Sequence, residues 1–164
     1  MDKGYLIWLC GCSMSGKSSL MYKILEDFPL LKPINFEKHF KINCSNKVNY
    51  HSFYEDIHLC LNTRNVIVES VYCHNNNKWI NDYSFSSIKK IIILCEPSYK
   101  EHYDRFNKYI TKYGNLIAKR RIGDISALND MRRKAKENLI YNILYTGNEY
   151  DLIKEEISSY VSNA

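Results

Sequence analysis

The stretch Tyr5–Ser19, YLIWLCGCSMSGKSS, constrains this chain more than any other. It begins as a short, continuously apolar run, the pattern of a strand covered on both faces. Glycines, serines and a lysine then interrupt it, and Gly11, Gly16, Lys17 and Ser18 fit G-x-x-x-x-G-K-[ST] at every fixed position. The glycines let the backbone curl until successive N–H groups converge on one anion. The helix that follows turns the positive end of its dipole to the same place. A plain flexible turn accounts for the glycines and serines but not for the lysine. Gly11, Cys12, Ser13, Met14, Ser15, Gly16, Lys17, Ser18 and Ser19 are therefore assigned to the phosphate chain of a nucleotide. In that assignment Lys17 reaches the β- and γ-phosphates and the Ser18 hydroxyl ligates Mg2+.

Beyond this loop, strand and helix patterns alternate. Lys17–Asp27 reads as a helix, Lys32–Phe36 as a short strand and Asn49–Leu61 as an amphipathic helix. Asn65–Ser70 and Lys90–Cys95 are further apolar strands, and Pro97 is expected in the first turn of a helix running to about Tyr113. A basic stretch follows, then helical pattern over Ser126–Leu139, a last strand over Asn138–Tyr145 and a closing helix over Asp151–Val161. Such alternation argues for βαβ units. The expected architecture is a three-layer α/β/α sandwich with a mostly parallel five-stranded sheet, as one domain over residues 1–164.

Composition narrows the setting. The 164 residues are 45% hydrophobic and 25% charged, as in a soluble globular domain. No apolar run approaches the roughly 18 residues that cross a bilayer, so no membrane partner is expected. The N-terminal run is too short for a signal segment. The six cysteines and five histidines show no CxxC pair and no zinc-ligand spacing. They read as reduced thiols and scattered imidazoles of a cytoplasmic protein. The net charge of +5 is concentrated in Lys119, Arg120, Arg121, Arg132, Arg133, Lys134 and Lys136, which favours an anionic ligand.

A GTPase would need DxxG after its third strand and NKxD later, and neither occurs; Asn46-Lys47 is followed by Val48-Asn49. A motor ATPase would show a larger core and an apolar run ending in Asp-Glu. The layout resembles instead the small P-loop kinases of the nucleotide-kinase-like group, which act on nucleosides, nucleotides and the 5′ hydroxyl of polynucleotides. Ile34-Asn35-Phe36-Glu37 resembles the IN-x-D stretch of bacteriophage polynucleotide kinases, with Glu37 in place of the aspartate. The resemblance makes Glu37 the base that takes the hydroxyl proton. Glu69, ending Val66-Ile67-Val68, occupies the place where the family carries a Walker-B-like or substrate-facing acid, which the resemblance implies can hold Mg2+ through water beside Ser18. Ser70-Val71-Tyr72 is a weaker match to deoxynucleoside kinases. Residues 112–125 resemble the lid that closes over ATP, with Arg120 and Arg121 as catalytic cations, Lys119 beside them and Arg105 as support.

The resemblance implies an ATP- and Mg2+-dependent transfer of the γ-phosphoryl group to a hydroxyl of a nucleic acid, nucleotide or nucleoside. The Ile34–Glu37 match and the basic third quarter lean towards a polynucleotide, a hydroxymethylated base in phage DNA being one form of it. A nucleoside or nucleoside-monophosphate kinase and a nucleotide-binding ATPase that transfers nothing remain open beside it.

Overall fold

The computed structural model describes residues 4–35, 50–71 and 87–161. Five strands, β1 (Leu6–Gly11), β2 (Lys32–Asn35), β3 (Val66–Val71), β4 (Lys90–Cys95) and β5 (Ile143–Tyr145), form one sheet in the order β2-β3-β1-β4-β5. Every pairing is parallel. The helices are α1 (Lys17–Asp27), α2 (Tyr50–Leu61), α3 (Tyr99–Tyr113), α4 (Asn115–Arg121), α5 (Ile125–Asn138) and α6 (Tyr150–Val161). The three-layer α/β/α expectation holds, with a sheet that is wholly parallel.

The strand at the centre, β1, is buried along its whole length, and its alternate residues feed two cores. Leu6, Trp8 and Cys10 join Phe53, Ile57 and Leu61 of α2. Ile7 and Leu9 join Leu20 and Ile24 of α1 with Ile153 and Ile157 of α6. Period-two alternation along an all-apolar strand thus seats helices on both faces at once. Inside the sheet, the Trp8 indole N–H donates to Ser70 Oγ (2.5 Å), so this buried polar pair satisfies itself.

The chain leaves β1 for β2 on one side and returns to β4 on the other. The switch point of the sheet therefore lies at the carboxyl end of β1, beside β3, where ligands of open α/β sheets bind.

Two sequence expectations shift. The helix after β4 begins at Tyr99, not at Pro97, because Ser98 is its N-cap. Ser98 Oγ accepts from the Glu101 N–H (3.2 Å) and Glu101 Oε2 accepts from the Ser98 N–H (3.1 Å), a capping box that leaves Pro97 outside. The last strand is confined to Ile143–Tyr145, since α5 runs to Asn138 and the chain reaches the sheet only where Asn142 N–H donates to Ile92 O (2.8 Å).

Leu9 is fully buried beneath α1. Leu9→Ala should cost about 2–5 kcal/mol of folding stability, measured by urea denaturation. A smaller loss would mean that β1 does not anchor α1.

Candidate active site

The bend from β1 into α1 is tight by construction. A Cβ at Gly11 would lie 2.7 Å from both Cys95 O and Ser15 Oγ, so no larger residue fits without moving backbone. Gly16 has φ 94°, a conformation glycine adopts without steric cost. Met14 is also left-handed, at φ 64°, which is uncommon outside glycine.

Whereas α3 and α5 are capped by Ser98 and Asp124, the N-terminus of α1 has no side-chain cap and no acidic residue in its first turn. Its free N–H groups and the positive end of its dipole are left for an anion from outside. Lys17, 6% exposed, is drawn back over the loop: its Nζ donates to Cys12 O (2.8 Å) and lies 3.5 Å from Ser15 Oγ.

Ser18 and Glu69 meet as the strand register requires. Glu69 pairs with Leu9 across the sheet, and its Oε1 accepts from Ser18 Oγ–H at 2.5 Å. One hydroxyl and one carboxylate beside an uncapped helix N-terminus make a hard, two-oxygen donor set. That suits Mg2+, which keeps several waters and takes the remainder of its ligands from phosphates. Among the described residues no cluster of three or more His, Cys, Asp or Glu offers an all-protein metal cage.

Two residues of α3 reach the loop, three apart and so on one helix face. Arg105 Nη1 donates to Met14 O (3.1 Å), and its guanidinium lies 3.2 Å from where a Cβ on Gly16 would stand. His102, fully buried, donates from Nε2 to Ser13 O (2.9 Å) and stands 3.5 Å from Cys12 Sγ. The sequence reading named Arg105 only as support and missed His102. The available signal was Ser98-x-x-Glu101, which sets the start of α3 and hence the face carrying both.

Other residues fall elsewhere. Lys119, Arg120 and Arg121 lie on a helix, α4, rather than on a loop; all three are exposed, and Arg121 faces the Tyr113 ring at 5.6 Å. None of the three shares a hydrogen bond with the loop among the described residues. Arg132 is buried, donating to Pro97 O beside Glu96 (3.8 Å) and stacking on Tyr99 (4.2 Å). Arg133 and Lys134 pair with Asp130 and Glu137 on the surface of α5. Glu37 and Tyr72 lie outside the described residues. The cysteines that are described, Cys10, Cys12, Cys60 and Cys95, are free thiols. Burial pushes the Cys12 thiol up, against the pull of Lys17 and Arg132. No described helix is long and apolar enough to cross a membrane.

No protein-family model and no curated protein matches the sequence. Solved structures do match the fold. The Mycobacterium tuberculosis APS kinase CysC, in complex with AMPPNP and APS, superposes with a TM-score of 0.64 at 15% identity over 99% of each chain. The Bacillus subtilis YorR protein, in complex with phosphorylated GDP, gives 0.58 at 17% identity over 96% of this chain and 95% of its own. Shikimate kinase from Aquifex aeolicus gives 0.53 at 16% identity, covering 96% and 97%.

The chain shares the three-layer α/β/α fold of these P-loop kinases. Its G-x-x-x-x-G-K-S stretch, Gly11–Ser18, lies at the place where the strand order switches.

Burial, with Arg132, Arg105 and Lys17 nearby, holds the His102 imidazole below its ordinary value of 6.5, although the Ser13 carbonyl pulls it up. The folded protein therefore refuses a proton that the unfolded chain accepts. The stability that this neutral ring contributes is present above pH 6.5 and is lost as pH falls below it. Urea unfolding at about pH 7.5 and about pH 5.5 should show a smaller acid loss in His102→Gln than in the native chain. An equal loss would mean that the ring takes up its proton in the folded state.

Proposed function

We propose that this protein transfers the γ-phosphoryl group of ATP to a hydroxyl of a small-molecule acceptor. The observation that carries the reading is the P-loop itself: an uncapped helix N-terminus, Lys17 folded over the loop and Ser18 hydrogen-bonded to Glu69.

In the transfer, charge spreads over the oxygens of the moving phosphoryl group, and groups already aimed at them lower the barrier. The amides of the loop and of the first turn of α1 bind the phosphate chain. Lys17 exchanges its carbonyl partner for phosphate oxygens. Arg105, already at the loop, adds a second positive charge on the α3 side. Ser18 and Glu69 would hold Mg2+, which when bound neutralises charge on the β- and γ-phosphates. Glu37 is proposed as the acceptor of the hydroxyl proton, and Arg120 and Arg121 as cations that α4 brings over the nucleotide. The donor is ATP by analogy with the APS kinase complex, which contains AMPPNP.

A small acceptor is favoured over a polynucleotide by the fate of the basic segment. Arg132 is turned inward beside Glu96, and Arg133 and Lys134 are neutralised by Asp130 and Glu137. Of the seven cations of that segment, Arg132, Arg133, Lys134 and Lys136 are therefore paired within the protein, and Lys119, Arg120 and Arg121 stay exposed on α4. The structural neighbours include APS kinase, shikimate kinase and a gluconokinase, all named for small substrates. A cytoplasmic setting fits the free thiols.

The test is γ-labelled ATP offered with Mg2+ to a panel of hydroxylated small molecules, nucleosides, nucleotides and oligonucleotides. Label should enter a small acceptor, and Lys17→Ala should lower the transfer by about 10²–10³. Glu69→Gln should raise the Mg2+ concentration needed for half-maximal rate. Hydrolysis without a labelled acceptor would make the protein an ATPase, and label in the oligonucleotide alone would reinstate the polynucleotide acceptor.

A further inference from the structure

We propose that His102 is a positioning residue of the P-loop: with Arg105 it holds Met14 in the left-handed conformation that turns the Met14 N–H towards the phosphates. The role rests on the nucleotide-binding reading above.

Met14 is the one described non-glycine residue at positive φ, a state that L side chains enter only when the surroundings hold them there. Its backbone lies between two peptide planes, and both are gripped from α3. The plane before it ends in Ser13 O, which accepts from His102 Nε2 (2.9 Å); the plane after it begins at Met14 O, which accepts from Arg105 Nη1 (3.1 Å). No described peptide bond is cis, so each C=O and the N–H across its plane point in opposite directions. Pulling Ser13 O onto α3 therefore drives the Met14 N–H away from α3.

The hydrogen bond also sets the tautomer. A carbonyl can only accept, so Nε2 carries the proton. Nδ1 is buried and has no hydrogen-bond partner among the described residues. The ring thus serves the loop through Nε2. The side chain of Met14 adds a third hold, lying against the cluster of Cys12, Phe106 and Leu128 that joins the loop to α3 and α5.

Without His102 the plane before Met14 is free to turn, and only the fraction of molecules with the correct plane binds nucleotide. Apparent affinity falls by that fraction. MgATP titrated calorimetrically into the full chain reads this directly. His102→Leu should weaken MgATP binding roughly tenfold, while His102→Gln, whose amide N–H reaches Ser13 O, should stay within about twofold of the native chain. In a Met14→Gly background, where positive φ carries no penalty, the loss caused by His102→Leu should shrink. Should His102→Leu not fold, His102→Asn, polar but too short to reach Ser13 O, takes its place.

A merely structural histidine gives a different pattern: lower unfolding midpoints with unchanged MgATP affinity, or the same affinity loss on both Met14 backgrounds. Either result overturns the role. A native chain with no affinity for MgATP fails differently, since it removes the nucleotide reading and the positioning role with it.

Discussion

The bend between β1 and α1 has to do two opposed things. It must bury the residues on either side of it, and it must leave the start of α1 without a capping side chain. Burial comes from the central strand, whose alternate residues root α1 and α6 on one face and α2 on the other. The uncapped start of α1 also has no acid in its first turn. Buried backbone donors without partners are costly, so such a helix start is stable where water or an anion completes it. The close approach of Gly11 to Cys95 O ties the bend to β4, and through β4 to α3. Loop, central strand and α3 consequently form one mechanical unit, with Ser13 and Met14 held from α3 by His102 and Arg105.

Charge is distributed to the same end. Of the basic residues crowded between Lys119 and Lys136, Arg132 is consumed beneath Tyr99 beside Glu96, while Arg133 and Lys134 bind carboxylates of their own helix. Surface pairs of this kind contribute little to stability, but each sets a carboxylate against a positive charge that composition alone leaves uncompensated. The cation placed at the loop by the fold is Arg105, from a stretch of α3 that does not stand out in the sequence. Lys119, Arg120 and Arg121 remain solvent-exposed on α4.

What the sequence made legible was local. The P-loop residues follow one another in the chain, so spacing alone exposed them, and the apolar runs Leu6–Cys10 and Lys90–Cys95 announced buried parallel strands. The Ser18–Glu69 contact was legible too, because a strand-end carboxylate in a parallel sheet is delivered to the same edge as the loop. The hold of α3 on the loop was not. His102 and Ser13 lie far apart in the chain, and nothing in either residue names the other. Proline fits a first helical turn, but the boundary lies beyond Pro97 because the Ser98–Glu101 capping box makes two hydrogen bonds where proline makes none. Basic composition likewise said nothing about pairing, which depends on helix faces and on Glu96 arriving from β4.

Amide hydrogen exchange over Gly11–Leu20, followed with and without MgATP, tests the central claim where it is made. If the main-chain N–H groups of the bend and of the first turn of α1 bind the phosphate chain, their exchange slows on adding MgATP, while the far end of the sheet is unaffected. Exchange in this segment that is indifferent to MgATP would contradict the account.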